Sequence, residues 1–245
     1  MAKATEMPPV MSAQQQFGAA VLILGESHAN AIARAIKAAD ETDFVAIDVR
    51  NRSSAASGGK IDFDSFAGYR PRHLVLAFGG TENNLVGLIE TDPPFDLVCP
   101  PYENIKDGRT LVPFAAIEEI LSRRLQSGLQ RALEVRSHFD CPVHALAPPP
   151  PFWSFDQRTQ VPNAFADLIE AGIAPPSVRR KLYSVLCDAM RKAYLEHGIE
   201  FVAAPPSSQD EKSFLLRSLW DKDPTHGNAA YGRCVLEHLR EELNV

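Results

Sequence analysis

The chain has few cysteines, no long apolar run and no excess of basic residues. Its four cysteines, Cys99, Cys141, Cys187 and Cys234, lie far apart, with no C-x-x-C pair among them. That density argues against a disulfide framework, and that spacing lacks the ligand pairs of a structural zinc site. Cys141 and Cys187 fall within apolar runs and read as buried small hydrophobes. No stretch approaches the roughly 20 apolar residues of a membrane-spanning helix. Met1 to Phe17 carries no continuous apolar core of the kind a signal peptide requires. The expectation is a cytoplasmic protein that meets no membrane. The net charge of −6, from 25 basic and 31 acidic residues, comes without a basic run, so nothing suggests a nucleic-acid partner. No His/Asp/Glu set has zincin spacing, and the glycines of dinucleotide and P-loop fingerprints are missing. Neither a metal nor a cofactor is expected.

What is present is ordinary globular composition, 45% hydrophobic and 23% charged over 245 residues, enough for one domain with a sizeable core. Residues 1–18 are small and polar and read as a mobile arm; residues 19–245 read as a single domain. Ala19 to Leu24 is a short apolar run with no polar face, the pattern of a strand buried on both sides. Ala29 to Ala39 follows as a helix. Strands are then predicted at Phe44–Val49, His73–Phe78, Cys141–Leu146 and Ile199–Ala203. Phe95–Cys99, flanked by four prolines, is either an extra strand or a buttressed loop. Helices are predicted near Leu85–Ile89, over residues 114–136, over Val178–His197 and over Ala229–Leu243. Residues 148–173 form an irregular insertion opening on four prolines. Strands alternating with helices predict an α/β fold with a parallel sheet of about five strands. In such sheets ligands collect beyond the carboxyl ends of the strands.

Two polar segments are expected there. Gly25-Glu26-Ser27-His28-Ala29 follows the first strand and opens a helix. A serine in that place can be an N-cap; it can also be a nucleophile, because a helix N-terminus offers free N–H groups and partial positive charge to an oxyanion. Asp223-Pro224-Thr225-His226 precedes the last helix. A carboxylate three residues before a histidine can orient the ring for base catalysis, or simply start a turn. His28 beside Ser27 reads as exposed or cleft-lining, since neighbours entering a helix do not face each other. His144, within an apolar strand, reads as a hydrogen-bonded core histidine.

Taken together, a first-strand G-x-S-x-A and a C-terminal D-x-x-H resemble the SGNH hydrolase family, the GDSL-type esterases and lipases. The resemblance runs from Leu22 to the final helix. It implies a three-layer, flavodoxin-like fold and a serine esterase. Ser27 would be the nucleophile, His226 the base and Asp223 the residue holding the imidazole. The Ser27 N–H and a glycine after the second strand, Gly58 or Gly59, would face the oxyanion. The family's third block is Gly-x-Asn-Asp; here Gly79-Gly80-Thr81-Glu82-Asn83-Asn84 puts Thr81 at the asparagine position, with Asn83 or Asn84 as alternative donors. Trp153 and Phe155 in the insertion are either packed aromatics or a substrate wall. The implied substrate is a small O-acyl ester, an O-acetyl carbohydrate or a short-chain ester. Acyl transfer to another hydroxyl, or binding of a glycan or acylated ligand without hydrolysis, remain the alternatives. The α/β-hydrolase nucleophile elbow is also approached by Gly25-x-Ser27. The closely spaced Asp and His, and a serine after the first strand, count against it.

Overall fold

The structure, a computed structural model, describes residues 19–52, 61–155 and 171–245. Five strands, β1 (Val21–Gly25), β2 (Phe44–Asp48), β3 (His73–Ala77), β6 (Val143–Leu146) and β7 (Glu200–Val202), form one parallel sheet in the order β2-β1-β3-β6-β7. Counting those strands alone, the order is 2-1-3-4-5, the flavodoxin-like arrangement. The chain leaves β1 toward β2 and returns to the other side at β3, so the switch point lies between β1 and β3.

Side chains alternate across the sheet, as the strand repeat of two requires. Leu22, Leu24, Leu74 and Leu76 face helices α3 (Phe114–Arg136) and α4 (Pro176–Leu195), meeting Leu121, Val178 and Val185. Val21, Ile23, Val75 and Ala77 face α1 (Ala29–Ala39) and α5 (Ala229–Leu243), meeting Ile32, Val235 and Leu239. Both faces are covered, which is why β1 is apolar at every position: each fully buried Leu or Ile contributes about 1.5–3 kcal/mol. This is the three-layer α/β architecture that the SGNH resemblance implies.

Two small residues bring α5 onto α1. A Cβ on Gly232 would lie 2.2 Å from the carbonyl oxygen of Ala31, so the helices touch backbone to backbone. The start of α5 is capped by Asn228, whose Oδ1 accepts from the N–H groups of Ala230 and Tyr231 at 2.8 and 3.2 Å. Its Nδ2 donates to the carbonyls of Ser218 and Trp220.

The proline-flanked run at Phe95 resolves into both expectations. Only Phe95–Asp96 (β4) is extended, and it pairs in parallel with Thr110–Leu111 (β5) as a separate two-stranded sheet. An ion pair seats this segment. Lys181 Nζ donates to Asp96 Oδ1 at 2.8 Å and to the carbonyl of Asn104 at 2.6 Å, and the Lys181 and Asp96 side chains are 1% and 0% exposed. Burial would raise the Asp96 carboxyl, but hydrogen bonds from Lys181, Lys106 N and Leu97 N hold it below the usual range.

Other expectations shift. The short helix α2 spans Glu82–Gly87, three residues earlier than predicted at its start, and α4 begins at Pro176. Cys141 and Cys187 are partly exposed, whereas Cys99 is buried. Of the insertion, residues 148–155 and 171–173 are described, and Arg179 ties the two ends together. Its guanidinium, 3% exposed as a residue, donates to the carbonyls of Ala174, Phe152 and Trp153 at 3.0, 2.6 and 3.0 Å. Burial lowers its pKa to about 10. The arm 1–18, Gly58 and Gly59 lie outside the described residues. No helix among the described residues is long and apolar enough to cross a membrane.

Candidate active site

In a doubly wound sheet the crevice opens at the carboxyl ends of the strands flanking the switch point. Here those ends are Gly25, leading to Ser27, and Ala77, leading to Gly79-Gly80. The two strands run unusually close at their ends, since a Cβ on Gly25 would lie 2.4 Å from the carbonyl oxygen of Ala77. The Glu26 N–H continues the ladder onto that same oxygen at 3.1 Å. Glu26 is anchored outward by Arg131 of α3, at 2.7 Å.

Ser27 and His28 make the turn between β1 and α1. The position before α1 belongs to His28, which makes no side-chain cap, and the Ser27 carbonyl accepts from Asn30 N. Ser27 is therefore not a side-chain cap. Its half-buried hydroxyl makes no hydrogen bond to a described residue.

The second segment is a tight loop just before α5. Asp223 Oδ1 accepts from the N–H and hydroxyl of Thr225 at 2.9 and 2.6 Å, the turn a bland reading expects. Both its oxygens also face His226 Nδ1, at 2.8 and 2.9 Å. An ionised carboxylate only accepts, so the proton of this contact sits on Nδ1. Burial pushes the Asp223 carboxyl up, but hydrogen bonds from His226 and Thr225 outweigh it and leave the pKa at about 2. With Nδ1 committed, Nε2 carries the lone pair of the neutral ring. That Nε2 is buried and has no hydrogen-bond partner.

The loop is locked to α1. Arg34 donates to Asp221 Oδ2 at 2.6 Å and to the carbonyl of Gly227 at 3.3 Å, and Asp221 N donates to the carbonyl of His226 at 3.0 Å. This brings the His226 ring against that of His28, with centroids 5.0 Å apart and planes at 44°. Of the expectation that His28 is exposed or cleft-lining, the exposed reading is corrected: it is 8% exposed, and neither ring nitrogen has a partner. Its covering comes from a loop almost 200 residues further along the chain, which helix spacing alone does not reveal. Burial, then repulsion from His226, lowers the His28 pKa to about 3.

After β3 the chain takes positive φ at Gly79 and Gly80, 71° and 91°, conformations that glycine adopts freely. Gly80 N donates to the Glu82 carboxylate at 2.7 Å. Burial raises the Glu82 pKa. Thr81 precedes α2 without capping it and is partly buried. Asn83 is 4% exposed, and its Oδ1 is buried with no partner. At the end of β2, Asp48 takes a bidentate pair from Arg50 at 2.9 and 2.6 Å and a further bond from Asn30 at 2.9 Å. Sequence reading missed this network, as it missed Arg131: Asp48 and Arg50 are only two residues apart, but Asn30 joins them from 18 residues away, and Arg131 reaches Glu26 from α3.

The two insertion aromatics part company. Phe155 packs on Leu88 and Ile89, with the Arg179 guanidinium 4.7 Å from its ring centroid. Trp153 keeps 47% of its surface exposed, edge-on to Phe214. His144 is buried and hydrogen-bonded, Nε2 lying 3.2 Å from His73 Nδ1. Among the described residues, no group of three or more His, Cys, Asp or Glu side chains could hold a metal.

What is brought together is thus a carboxylate-backed imidazole with a free, buried Nε2, and a second imidazole carried by the residue next to Ser27. No hydrogen bond joins Ser27 to His226. No family model and no curated protein matches the chain. Among solved structures it is similar to a GDSL-like lipase from Bacteroides thetaiotaomicron, at 11% identity over 96% of this chain and 90% of that one, with a TM-score of 0.49. It is also similar to a phospholipase A1 from Streptomyces albidoflavus, at 15% identity over 91% and 99%, TM-score 0.48. A third is a mutant acetyl-xylooligosaccharide esterase from Geobacillus Stearmophilus, at 12% identity over 94% and 97%, TM-score 0.44.

Proposed function

We propose that the protein is a serine ester hydrolase of the SGNH type, with Ser27 as nucleophile, His226 as general base and Asp223 as its orienting carboxylate. The observation that carries this reading is His226. Its Nδ1 is held by both oxygens of Asp223, and its Nε2 is buried and unpaired beside the turn that bears Ser27. Burying a nitrogen lone pair with no donor costs about 1–3 kcal/mol, a cost that a serine hydroxyl or substrate would relieve.

In this reading Ser27 Oγ attacks the acyl carbon and its proton passes to His226 Nε2. The same proton then goes to the alcohol oxygen as the ester C–O bond breaks. Water attacks the acyl-enzyme by the reverse route. Asp223 keeps its charge and stabilises the imidazolium. The oxyanion would be met by the Ser27 N–H together with Thr81 or Asn83, and Gly59 remains a candidate from outside the described residues. The Asn83 carboxamide has the reach that the Thr81 hydroxyl lacks. Trp153, with its exposed face, is the better of the two insertion aromatics for a substrate wall. The substrate class is a small O-acyl ester, such as an O-acetylated carbohydrate; transfer of the acyl group to another hydroxyl uses the same machinery.

The test is hydrolysis of aryl esters from acetate to octanoate by wild type and Ser27→Ala. Turnover that falls with acyl length and vanishes in the variant supports the esterase with a small acyl pocket. Activity equal in both proteins would sink the assignment of Ser27.

A further inference from the structure

Two histidine pairs occur among the described residues, and they differ in a telling way. His73 and His144, with ring centroids 5.4 Å apart, satisfy one another: Nδ1 of the first and Nε2 of the second are 3.2 Å apart. His28 and His226 are closer, at 5.0 Å, yet no hydrogen bond joins them, and three ring nitrogens stay buried and unpaired: both of His28 and Nε2 of His226. Unpaired buried polar groups are rare in folded proteins and call for an explanation. On two facing rings, three such nitrogens stand without a partner among the described residues.

We propose that His28 is a second imidazole of the reaction, binding the alcohol side of the ester by donating a ring N–H to the departing oxygen. This rests on the assignment of His226 as the base. In acylation the bond from Ser27 Oγ to the acyl carbon forms and the bond from that carbon to the alcohol oxygen breaks. The proton released by Ser27 reaches the departing oxygen through His226 Nε2. That oxygen must therefore come within hydrogen-bond reach of His226 Nε2, on the ring that His28 faces. His28 keeps its own proton throughout and contributes a hydrogen bond that strengthens as negative charge grows on the oxygen.

The surroundings suit a neutral donor. The charged or titratable groups acting on His28 are His226 and Asp223 from the loop before α5 and Arg50 from the segment after β2. Burial, with two neighbouring cationic or protonatable groups, keeps the ring uncharged at neutral pH. A neutral imidazole always retains one N–H donor, whichever tautomer it adopts.

The distinguishing measurement is a leaving-group series on one acyl group, from ethyl acetate to p-nitrophenyl acetate. It is run with wild type, His28→Met, His28→Phe and His28→Gln, each checked for folding by circular dichroism. Met and Phe remove the donor with different shapes; Gln restores one. The expected result is a loss in kcat of about 10- to 100-fold on the alkyl ester for both apolar variants. On the aryl ester, whose leaving oxygen needs little help, the loss is no more than about 3-fold. KM stays nearly constant, and His28→Gln recovers most of the activity. A loss equal across the series, or none, overturns the proposal, because a packing role has no reason to follow the leaving group. Ser27→Ala and His226→Ala are run beside them. Turnover that needs both residues, with a slope unaffected by His28, removes the His28 role alone. Turnover that survives either substitution, or is absent from wild type, removes the underlying assignment and the His28 role with it.

Discussion

Gly232 and Ala31 stand so close that the last helix has no room for a methyl group, a Cβ on the glycine falling 2.2 Å from the Ala31 carbonyl oxygen. This contact lies one helical turn beyond Asn228 on one side and two residues beyond Ala29 on the other. It therefore sets the separation between the Asp223–His226 loop and the Ser27 turn. Gly232→Ala must push the helices apart. The expected cost is about 1–3 kcal/mol of stability, typical of overpacking. Turnover should fall by more than the folded fraction explains, because the substitution touches none of Ser27, Asp223 and His226 but alters their spacing. Urea denaturation and kcat on the same preparation check this; unchanged kcat per folded molecule would refute it.

Asp223 serves a turn and a histidine at once, which separates two substitutions. Asp223→Asn keeps an oxygen for the Thr225 N–H but presents an amide to His226 Nδ1 in one of its two orientations, favouring the wrong tautomer. The expected loss is about 10⁴-fold in kcat at neutral pH with little loss of stability. A variant within 10-fold of wild type would speak against Asp223 as the orienting residue.

The choice between Thr81 and Asn83 as oxyanion donor is open to a direct comparison. Removing a true donor costs about 100- to 1000-fold in kcat. Asn83→Ala is expected to show that loss and Thr81→Val to stay within about 10-fold. The reverse ranking would assign the donor to Thr81.

Stability should depend on pH through His28 in a window of its own. An unfolded histidine takes a proton near pH 6.5, whereas the folded His28 takes one only near about 3. Between those values the unfolded chain binds a proton that the folded chain refuses. The stability associated with the neutral ring is thus complete above about pH 6.5 and is lost as pH falls toward 3. From about pH 8 to about pH 5 the loss is of order 2 kcal/mol. His28→Met should flatten that part of the curve. Asp223, also held low, at about 2, loses its contribution only below about pH 4, near the unfolded carboxyl value. Urea midpoints at the two pH values decide the matter, and a slope shared by variant and wild type would exclude His28 as its source.

The ion pair of Lys181 and Asp96 makes a fifth site of sensitivity, away from the site around Ser27. Lys181→Met strands a fully buried carboxylate and should destabilise by about 3–5 kcal/mol. The double variant Lys181→Met/Asp96→Leu should be markedly less destabilised than the single one. Equal destabilisation in both would mean that the packing of the segment, not the stranded charge, sets the cost.

What the sequence reveals and what it hides follow from distance along the chain. The all-apolar run Val21-Leu-Ile-Leu24, short and bounded by Gly25, announces a strand covered on both faces. Asp223 and His226 are three residues apart, and their contact is local. Ser27 is legible as a candidate through its position after that strand. His28 is not, because the His226 ring that buries it arrives from the far end of the chain. Lys181 and Asp96 are separated by 85 residues, and each alone reads as a solvated charge. In the sequence Gly25 reads only as part of the Gly25-Glu26-Ser27 motif, and Gly232 carries no signal of its own. In the structure Gly25 and Gly232 act instead as points of closest approach, which depends on a neighbour that no local pattern names.

Arg179 closes a loop on itself, joining Phe152 and Trp153 to Ala174 through three carbonyl contacts. Those anchors are main-chain oxygens, which every amino acid possesses. The clasp therefore does not depend on which residues lie between positions 155 and 171. Exchanging that stretch for one of different length or composition leaves the clasp's partners in place, so the residues on either side of it keep a fixed footing on the domain. Selection, or a library built across those positions, could therefore vary the stretch without reopening the fold beneath it.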